Sequence, residues 1–78
     1  MNAADQYLKF VRWSEDDQCY VGYCPDLFPW GGVCHGAKEE SVFKQLSLLV
    51  REEIADLQHA KKPLPAAATR PMREAVLA

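Results

Sequence analysis

Cys19, Cys24, Cys34 and His35 are the side chains of this 78-residue chain best suited to holding a metal or attacking a substrate, and all four lie in one stretch, CYVGYCPDLFPWGGVCH. A structural zinc site draws its ligands from closely spaced pairs such as Cys-x2-Cys, and this spacing does not match. If Cys19 to Cys24 is a strand, its two cysteines have opposite parity and point to opposite faces. A cysteine nucleophile needs a base within hydrogen-bond reach and a third group to orient that base. His35 directly follows Cys34, so in a strand it points away from the thiol, and His59 sits at the end of a helical pattern. The cysteines therefore read as small buried residues, and neither a metal nor a cofactor is expected.

Carboxylates offer a second chemistry, because a small sheet with a helix can carry inward-pointing Asp and Glu that hold magnesium for nucleic-acid cleavage. In this chain they fall in a polar loop (Glu15, Asp16, Asp17), at a corner (Asp26) and along a helix (Glu39, Glu40, Glu52, Glu53). None lies inside a predicted strand. Solvated charge and complementation of the helix dipole account for them, and no catalytic residue is assigned.

The elements that position these residues follow from periodicity. Met1 to Gln6 carries no pattern and reads as a loose lead-in. Tyr7 to Trp13 is aromatic and β-branched, with Leu8 and Phe10 on one face and Tyr7, Val11 and Trp13 on the other. Both faces are apolar, so one should pack on a helix and the other against a second chain. Ser14 to Gln18 reads as a hairpin loop, and Cys19 to Cys24 as the next strand, ended by Pro25. Pro25 to Gly32 is an irregular corner whose Phe28 and Trp30 are expected to fold back on their own sheet. Gly32 to His35 is a short third strand. Val42, Leu46, Leu49, Val50, Ile54 and Leu57 then recur at three- and four-residue steps, predicting a helix from about Ala37–Glu39 to Ala60 that Pro63 and Pro65 terminate. The fold class is α+β: a three-stranded antiparallel sheet with one long helix on one face, in the order β-β-β-α. Residues 7–65 form the domain and 66–78 a short tail, of which Met72 to Ala78 can be read as a frayed helical turn or a fourth, edge strand.

A domain this small buries only about 60% of the surface its unfolded chain exposes. An odd cysteine count and the lack of a secretory pattern suit a reducing cytoplasm, so self-association, as a homodimer or larger, is the expected stabiliser. No apolar run approaches the roughly 20 residues that span a bilayer, so no membrane role is expected. The net charge of −2 argues against direct nucleic-acid binding. Its distribution says more: up to Asp56 there are ten acidic residues against five basic ones, while from Leu57 onward four basic residues face Glu74. An acidic body of this kind suits docking onto a basic partner.

The order of strand, acidic hairpin, CYVGYCPDL, glycine-rich corner, Gly36, Glu40, apolar helix and KKPLP resembles the HicB-like antitoxin family. Members carry a tyrosine-containing strand leading to Pro-Asp-Leu, a Pro-Gly-Cys corner, a Gly-Asp-Thr turn, a Glu-Glu-Ala helix start and a proline pair after the helix. Tyr20, Val21, Pro25, Asp26, Leu27, Gly31 or Gly32, Gly36, Glu40, Pro63 and Pro65 match, and the likeness spans about Tyr7 to Pro65. Ala37-Lys38 stands where the family has its capping Asp-Thr, Ser41-Val42 replaces Glu-Ala, and the Phe28–Trp30 corner is longer than the common form, marking a divergent or solitary member.

The resemblance implies a partial RNase H-like fold, sometimes completed by a fourth strand, without the nuclease's acidic centre. It also implies a bacterial, non-enzymatic antitoxin that masks a small basic mRNA-cleaving toxin of the HicA type. Many members add a DNA-binding segment, for which this chain is read as too short. The partner-binding residues expected are Glu15, Asp16, Asp17, Asp26, Phe28 and Trp30, the carboxylates steering a basic surface and the aromatics anchoring it. The alternatives are a residual metal-dependent nuclease and an orphan self-associating module.

Overall fold

The apolar run after Lys38 forms helix α1, Glu39–His59, in a computed structural model that describes residues 3–68. Val42, Leu46, Val50 and Ile54 are its buried residues, each four positions after the last, and Leu49 and Leu57 flank them half-buried. Burying such side chains stabilises the fold by about 1.5–3 kcal/mol each. Lys38 stands at the N-cap without a side-chain capping bond, and Glu39 and Glu40 supply negative charge to the first turn instead. At the other end the amides of Lys61 and Lys62 donate to the carbonyls of Gln58 and Leu57, with Lys61 in the left-handed region at φ +58°. This paired closure is the usual helix stop, but a lysine occupies the position glycine favours.

Three strands lie under the helix: β1 (Phe10–Ser14), β2 (Cys19–Tyr23) and β3 (Cys34–Gly36), antiparallel and in the order β1-β2-β3. The β1–β2 register pairs Ser14 with Cys19 and Phe10 with Tyr23, and Gly22 pairs with Cys34 in the next ladder. Period two then puts Val11, Trp13, Tyr20, Gly22, Cys34 and Gly36 on the helix side. The middle of that face is made of small residues. A Cβ on Gly22 would sit 3.0 Å from Cys34 Sγ and 3.3 Å from Leu46 Cβ, and one on Gly36 3.1 Å from Val42 Cγ2. The helix rests in this trough. The opposite face, left uncovered by the helix, carries the stacked Phe10 and Tyr23 rings with centroids 5.0 Å apart, together with Arg12, Cys19, Val21 and His35.

The structure adjusts several expectations. β1 begins at Phe10 rather than Tyr7, because Tyr7 turns into the core, 5% exposed, and donates its hydroxyl to the Pro65 carbonyl at 2.5 Å. The lead-in is ordered by the same core: Ala3–Gln6 forms a short 3-10 helix with Ala4 buried. β3 begins at Cys34 rather than Gly32, although Val33 N already donates to Gly22 O at 2.8 Å. Beyond the helix, Leu64 and Ala67 pack on the core, so the chain after Pro63 returns to the sheet. The fourth strand read from Met72 to Ala78 lies outside the described residues.

Replacing Leu46 with alanine is expected to lower stability by about 2–5 kcal/mol, and Gly22→Ala by about 1–3 kcal/mol through overpacking, both read from urea unfolding midpoints. In the same measurement Lys61→Gly is expected to raise stability by about 0.5–1 kcal/mol by relieving the left-handed lysine.

Candidate functional site

Strand parity separates the cysteines as the sequence indicates. Cys24 and Cys34 are buried on the helix side, Cys19 is half-buried on the other face, and His35 is exposed next to Cys34. The Cys34 thiol donates to the Val42 carbonyl at 3.6 Å. Burial raises the pKa of both inner thiols. At Cys24 a backbone bond from Leu27 and the charge of Lys9 act against that rise, and Asp26 adds to it. At Cys34 the opposing influence is a backbone bond from Gly22. Such thiols stay protonated and pack as small apolar groups. Among the described residues no three His, Cys, Asp or Glu side chains gather closely enough to hold a metal ion.

The six residues expected at a partner surface do not form one patch. Glu15, Asp16 and Asp17 occupy the β1–β2 loop, next to the Ser14–Cys19 pair, whereas the corner follows Tyr23 at the other end of β2. Two of the loop carboxylates also have local work. Ser14 Oγ donates to Asp17 Oδ2 at 2.9 Å, and Gln18 Nε2 donates to Glu15 Oε2 at 3.1 Å. Gln18 sits in the left-handed region at φ +54°, so these bonds help hold a turn that has no glycine. Asp26 likewise accepts the Ala68 amide through Oδ2 at 3.1 Å and thereby ties the returning chain to the corner. Glu15, Asp17 and Asp26 are thus turn and anchor residues, which their position in polar loops did not distinguish from solvated charge.

At the corner, Leu27 and Phe28 amides both donate to Cys24 O, at 3.2 and 2.8 Å, and Leu27 is buried. Gly31 then turns the chain with φ +122°, a conformation L side chains rarely adopt. Phe28 packs against the core as expected, but Trp30 does not: it is 73% exposed and stands edge-on to Phe28 with ring centroids 5.5 Å apart. The expectation that the whole Phe-Pro-Trp segment folds onto its own sheet fails for Trp30 because Phe28 takes the contact with the core and Pro29 carries the chain outward.

What Trp30 faces is the flank of α1. Phe28, Trp30, Leu49, Glu52, Glu53 and Asp56 line an open cleft of about 260 Å³. Leu49 and Glu53 are one helical turn apart, and Glu52 and Asp56 are another such pair, so the helix presents one apolar and three acidic side chains along this edge. These carboxylates were legible as helical charge. Their meeting with the corner was not, since nothing in the spacing says over which side of the helix a long connection passes. A second depression, about 420 Å³, runs over the uncovered sheet face past Asp17, Cys19, Val21 and His35.

No family model, curated protein or solved structure matches the chain. Among the described residues no helix is long and apolar enough to cross a membrane.

The thiol environments set two outcomes. In the native protein a thiol reagent is expected to modify Cys19 first, with Cys24 and Cys34 reacting only on unfolding, as mass spectrometry of the labelled peptides will show. Stability should also fall with alkali. The ordinary pKa values are 9.0 for the thiols and 10.0 for Tyr7, whose phenol is raised chiefly by burial, then by Asp26 and Cys24. Raised native values mean that the unfolded chain loses these protons first, so the stabilisation is complete below about pH 9 and is lost as pH climbs through the native values. Urea midpoints measured from pH 7 to 11 check the sign.

Proposed function

We propose that this chain is a non-enzymatic, cytoplasmic binding protein of the HicB-like type, which masks a small basic toxin of the HicA type and self-associates through the uncovered face of its sheet. The observation that carries the reading is Trp30, a large aromatic side chain held out of the core beside Glu52, Glu53 and Asp56. An exposed aromatic next to an unfilled apolar contact is the usual anchor of a protein interface, and flanking carboxylates favour a basic partner in both encounter rate and register. The acidic excess of the first 56 residues supports the same sign of partner. The buried thiols of Cys24 and Cys34 and the turn and anchor roles of Glu15, Asp17 and Asp26 favour binding over chemistry. The HicB-like order of landmarks, from Pro25-Asp26-Leu27 to Pro63 and Pro65, supplies the finer identity of the partner.

For self-association, the Phe10–Tyr23 stack with Val21 and Cys19 offers an apolar surface flanked by Arg12 and His35. A chain of this size gains from covering it.

Co-expression with a small basic protein encoded beside this gene is expected to give a complex that co-purifies, falls apart as salt is raised, and blocks that partner's RNA cleavage. Recovery of active toxin from such a mixture with no complex formed would reject the masking function. Light scattering is expected to give at least twice the mass of one chain, and Val21→Asp on the uncovered face should return it to that of a monomer.

A further inference from the structure

The cleft between the corner and α1 brings together an exposed indole and several carboxylates on one helix. Phe28 and Trp30 meet at a steep angle with ring centroids 5.5 Å apart, and Trp30 remains 73% exposed. Leu49 adds an apolar wall, and Glu52, Glu53 and Asp56 project from consecutive positions and the next turn of the same helix. Among the described residues, those lining the cleft include no lysine, arginine or histidine. The cleft therefore offers negative charge and a π surface together, with no cation among the described residues that line it.

Only one common side chain answers both at once. A guanidinium is planar, stacks on an indole, and presents five N–H donors in a fork that fits carboxylates bidentately. An ammonium can be attracted to the ring but is a compact, strongly hydrated point charge without that planar match. Carboxylates one helical turn apart lie about 5–6 Å from each other at the Cβ atoms, close enough for a single guanidinium to reach two of them.

We infer that this cleft is a receptor for one arginine side chain of a protein partner, stacked on Trp30 and hydrogen-bonded by Glu52, Glu53 and Asp56. The inference rests on the reading of the chain as a binding protein for a basic partner and locates that binding at the helix flank, away from the acidic hairpin. Charge complementarity selects the occupant, and the aromatic wall selects arginine over lysine.

The test uses the full chain, labelled with 15N, and two peptides of equal charge, one of three Gly-Arg repeats and one of three Gly-Lys repeats. The arginine peptide is expected to shift the Trp30 indole N–H and the amides of Glu52, Glu53 and Asp56, at least fivefold more tightly than the lysine peptide. Trp30→Ala, at an exposed position that leaves the core intact, and the double change E52Q/E53Q should each weaken binding at least tenfold. Neutralising the hairpin with D16N should leave it within twofold. Equal binding of both peptides, shifts that map to the hairpin or the sheet, or unchanged affinity in Trp30→Ala would each overturn the assignment. So would two other occupants: a Trp30 signal that moves with protein concentration alone assigns the cleft to a second copy, and one that moves in R70Q/R73Q without peptide assigns it to the chain's own basic end. Peptide binding and toxin masking fail separately: a toxin complex unaffected by Trp30→Ala rejects this site alone, whereas a normal arginine response without any toxin complex rejects the masking function alone.

Discussion

The approach of α1 to the middle of the sheet is the contact on which the rest of the molecule depends. Leu46 lies over Gly22, where even a methyl group would be crowded by Leu46 and Cys34 together. Close-packed interiors tolerate such a fit only when both sides are specified, and here the sheet side is specified by small residues: Gly22, Cys34 and Gly36 beneath the helix, with Cys24 buried at the end of β2. Larger side chains, Val11, Trp13 and Tyr20, are left to the margins of that face. Trp13 and Tyr20 meet edge-on at 5.1 Å, and Trp13 stays 40% exposed. Cys24 and Cys34 belong to this arrangement as apolar spacers, and their chemistry is suppressed by the burial that gives them their structural value.

The connection from β2 to β3 is longer than two adjacent antiparallel strands require, and it comes to line a cleft with the flank of the helix. That extra length makes the unusual corner. Leu27 enters the core, Phe28 follows it partway, Gly31 reverses the chain, and Trp30 is left at the apex beside the carboxylates of α1. The long connection carries its largest aromatic side chain to a cleft shared with Glu52, Glu53 and Asp56 of the helix.

Charge is divided by the same geometry. The hairpin carboxylates are absorbed into their own turn through Ser14 and Gln18, and Asp26 holds the returning chain through the Ala68 amide. Hydrogen bonds of this kind lower the availability of a carboxylate to a partner without removing it from view, so a count of acidic residues overstates the surface open for recognition. The carboxylates of the helix flank, set on a rigid element and facing an apolar wall, are better placed to act at fixed positions.

Read from sequence alone, the chain already declares its architecture. The four-residue spacing of Val42, Leu46, Val50 and Ile54 determines a helix with one buried stripe, the parity of Cys19, Val21 and Tyr23 against Tyr20, Gly22 and Cys24 divides β2 into two faces, and prolines follow the ends of β2 and of the helix. These are local signals, since periodicity and the loss of an amide act within a few residues. Where Tyr7 ends up, which carboxylates are consumed by turns, and which face of α1 the corner overlies are decided only by contacts between residues far apart in the chain. Tyr7 reaches Pro65, and Trp30 comes to line one cleft with Leu49 and Glu53 of α1. Such pairings depend on how a loop closes around a packed core, a choice no local pattern encodes. The fold was therefore written in the spacing of the residues, and the candidate site arose only when the tertiary structure brought the corner and the helix together.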